Sequence, residues 1–254
     1  MSAPPIAELV AGPTWRAVDF ISDLHLQAAE PATFEAWRRF MATTDADAVF
    51  ILGDLFEVWA GDDALDEPGF AADCGRVLRA ATARRPVFFL HGNRDFLVRD
   101  GFSQATGVQL LADPTVLAFA GARWLLTHGD ALCLGDTEYL KFRAMVRDPA
   151  FQDRFLAQPL AARQQVAQSM RSESESRKQA GATYADVDRD EALAWLAAAE
   201  AATMVHGHTH RPGEQQLDAQ HRRVVLTDWD LAARPPRGEV LRLDAAGLRR
   251  LPLP

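Results

Sequence analysis

The sequence predicts an α/β fold in which a β-sandwich is flanked by helices and carries a helical insertion. Three observations support this. Five short apolar runs of strand length recur along the 254 residues. Helical spacing fills the gaps between the first three runs, and beyond residue 210 apolar and polar residues alternate. A composition of 48% hydrophobic and 24% charged residues suits a chain able to bury one large core, and a single domain over 1–254 is expected.

The opening stretch MSAPPIAELVAGPTW has no basic segment followed by an apolar one and reads as an irregular leader with no secretion signal. The runs AVDFIS (17–22), AVFIL (48–52), VFFL (87–90), WLLT (124–127) and TMVH (203–206) have the length and composition of buried strands. Phe34, Trp37, Phe40 and Met41 follow Pro31 at helical spacing, as do Phe70 through Val77 and Leu78, giving a β-α-β-α-β order. Residues 137–180 break that rhythm. Phe142, Met145, Val146, Phe151, Phe155 and Leu156 recur at helical spacing, and eight basic residues face five acids. The segment is therefore expected to be a positively charged helical insertion, with a solvated cap as its plainest role. The tail, RVVLTDWD and EVLRLDAAGLRRL, suggests a second sheet that closes the sandwich.

No apolar run approaches the roughly 18 residues that span a bilayer. A formal charge of −8 argues against a nucleic-acid partner, which is bound mainly through clustered Lys and Arg. Cys74 and Cys133 lie far apart without a C-x-x-C pattern and are expected to be reduced core residues.

The chemistry sits at the strand ends, in SDLH, GDLFE, HGNRD, THGD and HGHTH. In open α/β sheets ligands bind outside the carboxyl ends of the strands, so five such clusters would converge on one rim. Asp23 and His25, two apart, can point the same way and offer one oxygen and one nitrogen to a metal. Singly, each motif has a plainer explanation. Asp54 after a glycine and Asn93 are common turn or cap residues, and His128 could be a hydrogen-bonded structural histidine. His208 and His210 alternate about Thr209 after Gly207, where a metal role and a structural one are evenly matched. Together they supply four His, two Asp and one Asn. Seven protein ligands are too many for one ion but suit two ions sharing a bridging carboxylate.

In this order the motifs D-x-H, GD, GN, H and GHTH resemble those of the calcineurin-like metallophosphoesterases. The resemblance implies that Asp23, His25 and His210 hold one ion, that Asn93, His128 and His208 hold the other, and that Asp54 bridges them. Two Mn²⁺ are expected, with Fe²⁺ or Zn²⁺ compatible with the same donors. Asp54, Asn93, Arg94 and His128 are the expected catalytic group. Many members of that superfamily read GNH where this chain reads GNRD. Arg94 cannot protonate a leaving group, but it can clamp phosphate oxygens, which favours a phosphoanhydride substrate.

GDLFEVWAGDD, HGNRDFLV, THGDALCLGDTEYLKFRAMVR and MVHGHTHRP resemble more closely the UDP-2,3-diacylglucosamine diphosphatase family, over most of the chain. That family uses water to attack the α-phosphorus of UDP-2,3-diacylglucosamine. The products are UMP and 2,3-diacylglucosamine 1-phosphate (lipid X), in lipid A synthesis at the cytoplasmic face of the bacterial inner membrane. The resemblance implies peripheral contact with inner-membrane lipid and no protein partner. It places Asn93, Arg94, Asp136, Ser174, Lys178 and His208 against substrate, with the register after Ser174 departing from the family pattern. Apolar faces of the insertion would take acyl chains and its basic residues would meet phosphates or lipid headgroups. Glu57, Asp62 and Asp63 are expected to support the site or the fold, and His91 and His206 to be structural. A general nucleotide pyrophosphatase or phosphodiesterase acting on a soluble substrate is the alternative.

Overall fold

The computed structural model describes residues 3–179 and 185–253, with side chains described through residue 171 and again from 185. Twelve strands form two six-stranded sheets. In chain order they are β1 (Ala7–Val10), β2 (Ala17–Ile21), β3 (Ala48–Leu52), β4 (Val87–Leu90), β5 (Gln109–Leu110), β6 (Thr115–Phe119), β7 (Ala122–Leu126), β8 (Thr203–His206), β9 (Gly213–Gln216), β10 (Arg222–Val225), β11 (Glu239–Asp244) and β12 (Gly247–Pro252). One sheet runs β12-β11-β2-β3-β4-β5 and the other β1-β6-β7-β8-β10-β9.

The five apolar runs become β2, β3, β4, β7 and β8. Their near-continuous hydrophobicity follows from burial on both faces. Val49 and Ile51 turn outward under the helices α1 (Pro31–Thr43), α2 (Phe70–Thr82) and α3 (Asp100–Thr106), meeting Trp37, Phe40, Cys74, Leu78 and Phe102. Phe50 and Leu52 turn inward, where Phe20 and Phe88 meet Leu117, Leu126, Val205 and Val224 of the other sheet. Phe50 stacks on Phe88 at 4.8 Å between ring centroids, and each such side chain contributes about 1.5–3 kcal/mol by burial. The second sheet's outer face packs Leu125 and Met204 against Trp195 and Leu196 of α7 (Arg189–Ala199), with Cys133 in the same cluster. The result is helices, sheet, sheet and helix, in four layers.

Two local expectations need correction. The leader is not wholly irregular, because Ala7–Val10 pairs in parallel with β6. It is an edge strand, mostly exposed, with Val10 71% accessible, so no apolar run betrays it. Nor does the tail make a second sheet of its own: β9 and β10 extend the sheet of β8, whereas β11 and β12 extend the sheet of β2.

Three helices occupy the insertion: α4 (Thr137–Val146), α5 (Pro149–Leu156) and α6 (Leu160–Gln179). Their arginines largely turn toward the body of the protein. Arg143 donates to Asp130 at 2.8 Å, Arg147 to the carbonyl of Gly92 at 2.8 Å, and Arg163, 2% exposed, to the carbonyl of Ala60 at 2.5 Å. Phe155 and Leu156 lean on the core beneath α1 and α2. Met145, Val166 and Met170 remain exposed.

Candidate metal centre

The strand ends that carry the polar clusters come from both sheets, β2, β3 and β4 from one and β7 and β8 from the other. Parallel pairing puts their carboxyl ends together within each sheet, and backbone bonds join the loops beyond. Leu24 and His25 donate to the carbonyl of Asp54 at 2.9 and 3.0 Å, and Gly207 donates to the carbonyl of His128 at 3.1 Å. Asp23, His25, Asp54, His208 and His210 all have positive φ, between 49° and 65°. Left-handed backbone is uncommon away from glycine and clusters where surrounding structure imposes it at functional sites. Glycine neighbours permit this crowding. A Cβ on Gly92 would run into the carboxylate and backbone nitrogen of Asp54, and one on Gly207 into Ser22 and the carboxylate of Asp23.

All seven motif residues meet here. Nε2 of His25 and Nε2 of His210 are 3.3 Å apart, and Nε2 of His210 is 3.4 Å from Oδ1 of Asp23. Two nitrogens bound to one ion at about 2.1 Å would be separated by roughly 3.0 to 3.4 Å in octahedral to tetrahedral geometry. Beside this trio, Oδ1 of Asn93 lies 3.0 Å from Nε2 of His128 and 2.9 Å from Nδ1 of His208. Asp54 stands between the groups, with Oδ2 4.0 Å from Nε2 of His25 and Oδ1 3.8 Å from Nε2 of His128. One carboxylate oxygen therefore faces each cluster. Asp23 with His25 and His210, and Asp23 with Asp54 and His128, bring their donor atoms within 4.8 Å of one another.

Neighbours orient these donors. Nδ1 of His128 donates to the carbonyl of Leu52 at 2.8 Å, which leaves Nε2 toward the centre. Oε2 of Glu57 lies 3.0 Å from Nδ1 of His25. Asp95, fully buried, accepts from the backbone nitrogens of Gly92 at 2.8 Å and Leu55 at 2.7 Å, clamping the loop of Asp54 to that of Asn93. Sequence reasoning missed this role for Asp95, since its backbone partners on β3's loop lie some forty residues away. Asp62 and Asp63 are structural: Asp62 accepts from Phe102 N at 2.9 Å, and Asp63 pairs with Arg163. His91 contacts the carbonyl of Val98 at 2.7 Å and His206 that of Gly207 at 2.9 Å, and burial pushes both down to about 4.

Arg94 pairs with neither Asp95 nor Asp62. It faces Glu57 at 3.5 Å, and its buried Nε makes no hydrogen bond among the described residues. Asp136 caps α4, accepting from Tyr139 N at 3.1 Å. Ser174 and Lys178 fall in the last turns of α6, where side chains lie outside the described residues.

The electrostatics of the cluster fit donors for divalent cations. Burial alone would raise Asp23, but the hydrogen bond and charge of His210, with the charges of His128 and His25, hold it well below the usual carboxylate range. Burial opposes a charge on His128, yet Asp54, Asp23 and Asp130 push its pKa up to about 9. The buried carboxylates demand positive charge, and protonated imidazole can supply it. Metal ligation requires neutral imidazole, so below about pH 9 ion binding should expel a proton. Titration calorimetry of Mn²⁺ into stripped protein at pH 7, in buffers of different ionisation enthalpy, should show about one proton released per ion pair, with affinity rising toward pH 9. The folded pKa exceeds the unfolded value of about 6.5. Protonated His128 thus stabilises the metal-free fold fully below pH ~6.5, and that contribution is lost as pH climbs through about 9.

The calcineurin-like phosphoesterase family model matches residues 17–212. A UDP-2,3-diacylglucosamine hydrolase of Xanthomonas campestris pv. campestris is 48% identical over 245 residues, covering 90% of this chain and 96% of that protein. A protein of the same name from Chromobacterium violaceum is 45% identical over 246 residues, covering 93% and 99%.

Proposed function

The chain belongs to the calcineurin-like phosphoesterase family, and from that premise we propose that it uses two divalent ions, Mn²⁺ first among them, to hydrolyse the pyrophosphate of UDP-2,3-diacylglucosamine. Water attack at the α-phosphorus would give UMP and 2,3-diacylglucosamine 1-phosphate. The observation that carries this is Asp54, one oxygen turned to each donor cluster, beside an arginine whose buried Nε makes no hydrogen bond among the described residues. The match to the relatives named for this substrate spans nearly the whole length of those proteins.

Asp23, His25 and His210 would hold one ion, Asn93, His128 and His208 the other, and Asp54 both. When bound, such a pair acidifies water toward a pKa of ~7 and neutralises charge on phosphoryl oxygens. The chain's own residues do the rest. Leu52 and Glu57 fix which nitrogens of His128 and His25 face inward. Arg94, permanently charged, can hold phosphate oxygens bidentately but supplies no proton. That division suits a phosphomonoester leaving group, whose last proton has a pKa of about 6. An alkoxide would need an acid at this position.

Met145, Val166 and Met170, exposed on α4 and α6, support contact with acyl chains, each buried CH₂ adding about 0.8 kcal/mol. Among the described residues no helix is long and apolar enough to cross a membrane. Peripheral attachment at the cytoplasmic face of the inner membrane is part of this proposal.

The test is product analysis with metal-stripped protein, Mn²⁺ and UDP-2,3-diacylglucosamine, beside UDP-N-acetylglucosamine. UMP release should require both metal and acyl chains, and Arg94→Ala should slow it about 10²-fold, near 3 kcal/mol. Equal cleavage of both nucleotides would remove the acyl requirement, and cleavage of neither by metal-loaded protein would refute the substrate.

A further inference from the structure

Helix α4 and its C-terminal cap carry Tyr139, Arg143 and Arg147, each four residues from the next and so aligned along one helical face. That face is turned to the metal centre, and its side chains reach three loops. The ring of Tyr139 stacks on that of His208, with centroids 5.9 Å apart and planes 29° apart. The Tyr139 hydroxyl, and Nε of Arg143 at 2.8 Å, donate to the same oxygen of Asp130, a fully buried residue two positions beyond His128. Arg147 donates to the carbonyl of Gly92 at 2.8 Å, one position before Asn93.

His208, His128 and Asn93 are the donors of a single cluster, the one assigned to the second ion. The other cluster is braced from elsewhere. His25 meets Glu57 of the loop after β3 at 3.0 Å, and the carbonyl of Asp23 accepts from Trp229, beyond β10, at 3.0 Å. A helix that only covered the fold would not need a buried carboxylate beneath it. Asp130 repays its desolvation only when well paired, and α4 supplies both the tyrosine and the arginine, so seating the helix and fixing the loop of His128 are one event. The face of Tyr139 limits rotation of the His208 ring, whose Nδ1 lies 2.9 Å from Oδ1 of Asn93. Groups that orient metal ligands typically contribute about 10- to 100-fold in metal affinity.

We propose that α4 is part of the metal centre: Tyr139 and Arg147 are positioning residues that hold the Asn93, His128 and His208 cluster in shape, so that the seating of the insertion sets the affinity for the second ion and not for the first. This rests on the two-ion reading above. Neither residue would touch an ion or a reacting atom.

Mn²⁺ titrations of metal-stripped protein, followed by the electron paramagnetic resonance of free ion, would compare wild type with Asn93→Ala, Tyr139→Leu, Tyr139→Phe, Arg147→Ala and Lys141→Ala, the last an exposed position on the same helix. Asn93→Ala removes a donor and so identifies which binding step belongs to the second cluster. Tyr139→Leu and Arg147→Ala should each weaken that step about tenfold and leave the other within about twofold. Tyr139→Phe, which keeps the ring face but loses the tie to Asp130, should fall between, and Lys141→Ala should match wild type. Activity at saturating Mn²⁺ should return to within about threefold of wild type, because no reacting group is lost. Equal weakening of both steps would make α4 a general scaffold, and unchanged steps would make it a mere cover; either result overturns the proposal. Should Tyr139→Leu fold poorly, Tyr139→Phe and Arg147→Ala decide by the same two steps. A wild type that takes up only one ion would instead refute the two-ion reading, a result distinct from two ions held without help from α4.

Discussion

Asp54→Asn is expected to lower turnover at least ~10³-fold, about 4 kcal/mol of transition-state stabilisation, while changing the stability of the metal-free fold far less. The loss follows from geometry: its two oxygens face His25 and His128 at 4.0 and 3.8 Å, and an amide offers only one oxygen and no charge. The retained stability follows from two opposed electrostatic effects. Burial and the neighbouring Asp54 push Asp95 up to about 7, so removing the Asp54 charge relieves a repulsion between buried acids, while it forfeits the attraction of Asp54 for protonated His128 and His25. Thermal unfolding of stripped protein, set beside turnover with Mn²⁺, checks both halves. A variant that loses activity and also unfolds well below wild type would mean that Asp54 is a scaffold residue.

Gly92→Ala should be nearly as damaging by a different route. The new methyl would meet the carboxylate and backbone nitrogen of Asp54, and backbone cannot swing aside as a side-chain tip can. Arg147 and Asp95 also pin this loop, through the Gly92 carbonyl and nitrogen, both at 2.8 Å. Overpacking of this kind costs about 1–3 kcal/mol, a fall in Tm of roughly 3–10 °C for a chain of this size. Because the displaced group is Asp54, manganese affinity and activity should fall together with Tm. Normal metal binding in the alanine variant would show that the two loops yield to the added methyl without moving Asp54.

The strands that build the site were legible because both of their faces are buried, which leaves runs such as AVFIL and VFFL with no polar interruption. The motif residues were legible for a related reason: each lies within a few residues of such a run, so chain order gave their common rim. What escaped detection depends on distant partners. β1 is an exposed edge strand that pairs with β6, a hundred residues on. The tail's division between two sheets is decided by pairing with β8 and β2. Asp95 reads as an ordinary acid near a motif, and Glu57 as a support of the site or the fold without a named partner. Their roles appear only when the loops after β3 and β4, and Arg171 from α6, come together. Of the insertion's basic residues, expected on a solvated cap, Arg143, Arg147 and Arg163 are instead tied to Asp130, Gly92 and Ala60. Net charge along a segment does not say which way its side chains turn.

Metal stoichiometry tests most directly whether Asp54 joins the two clusters into one binuclear centre. Stripped protein would be reconstituted with excess Mn²⁺, freed of unbound ion by gel filtration, and examined by elemental analysis and electron paramagnetic resonance. Two manganese ions per chain with the spectrum of a coupled pair are expected, and Asp54→Asn should abolish the coupling. One ion per chain, or two giving uncoupled spectra in the wild type, would contradict the bridging role of Asp54 and the mechanism built on it.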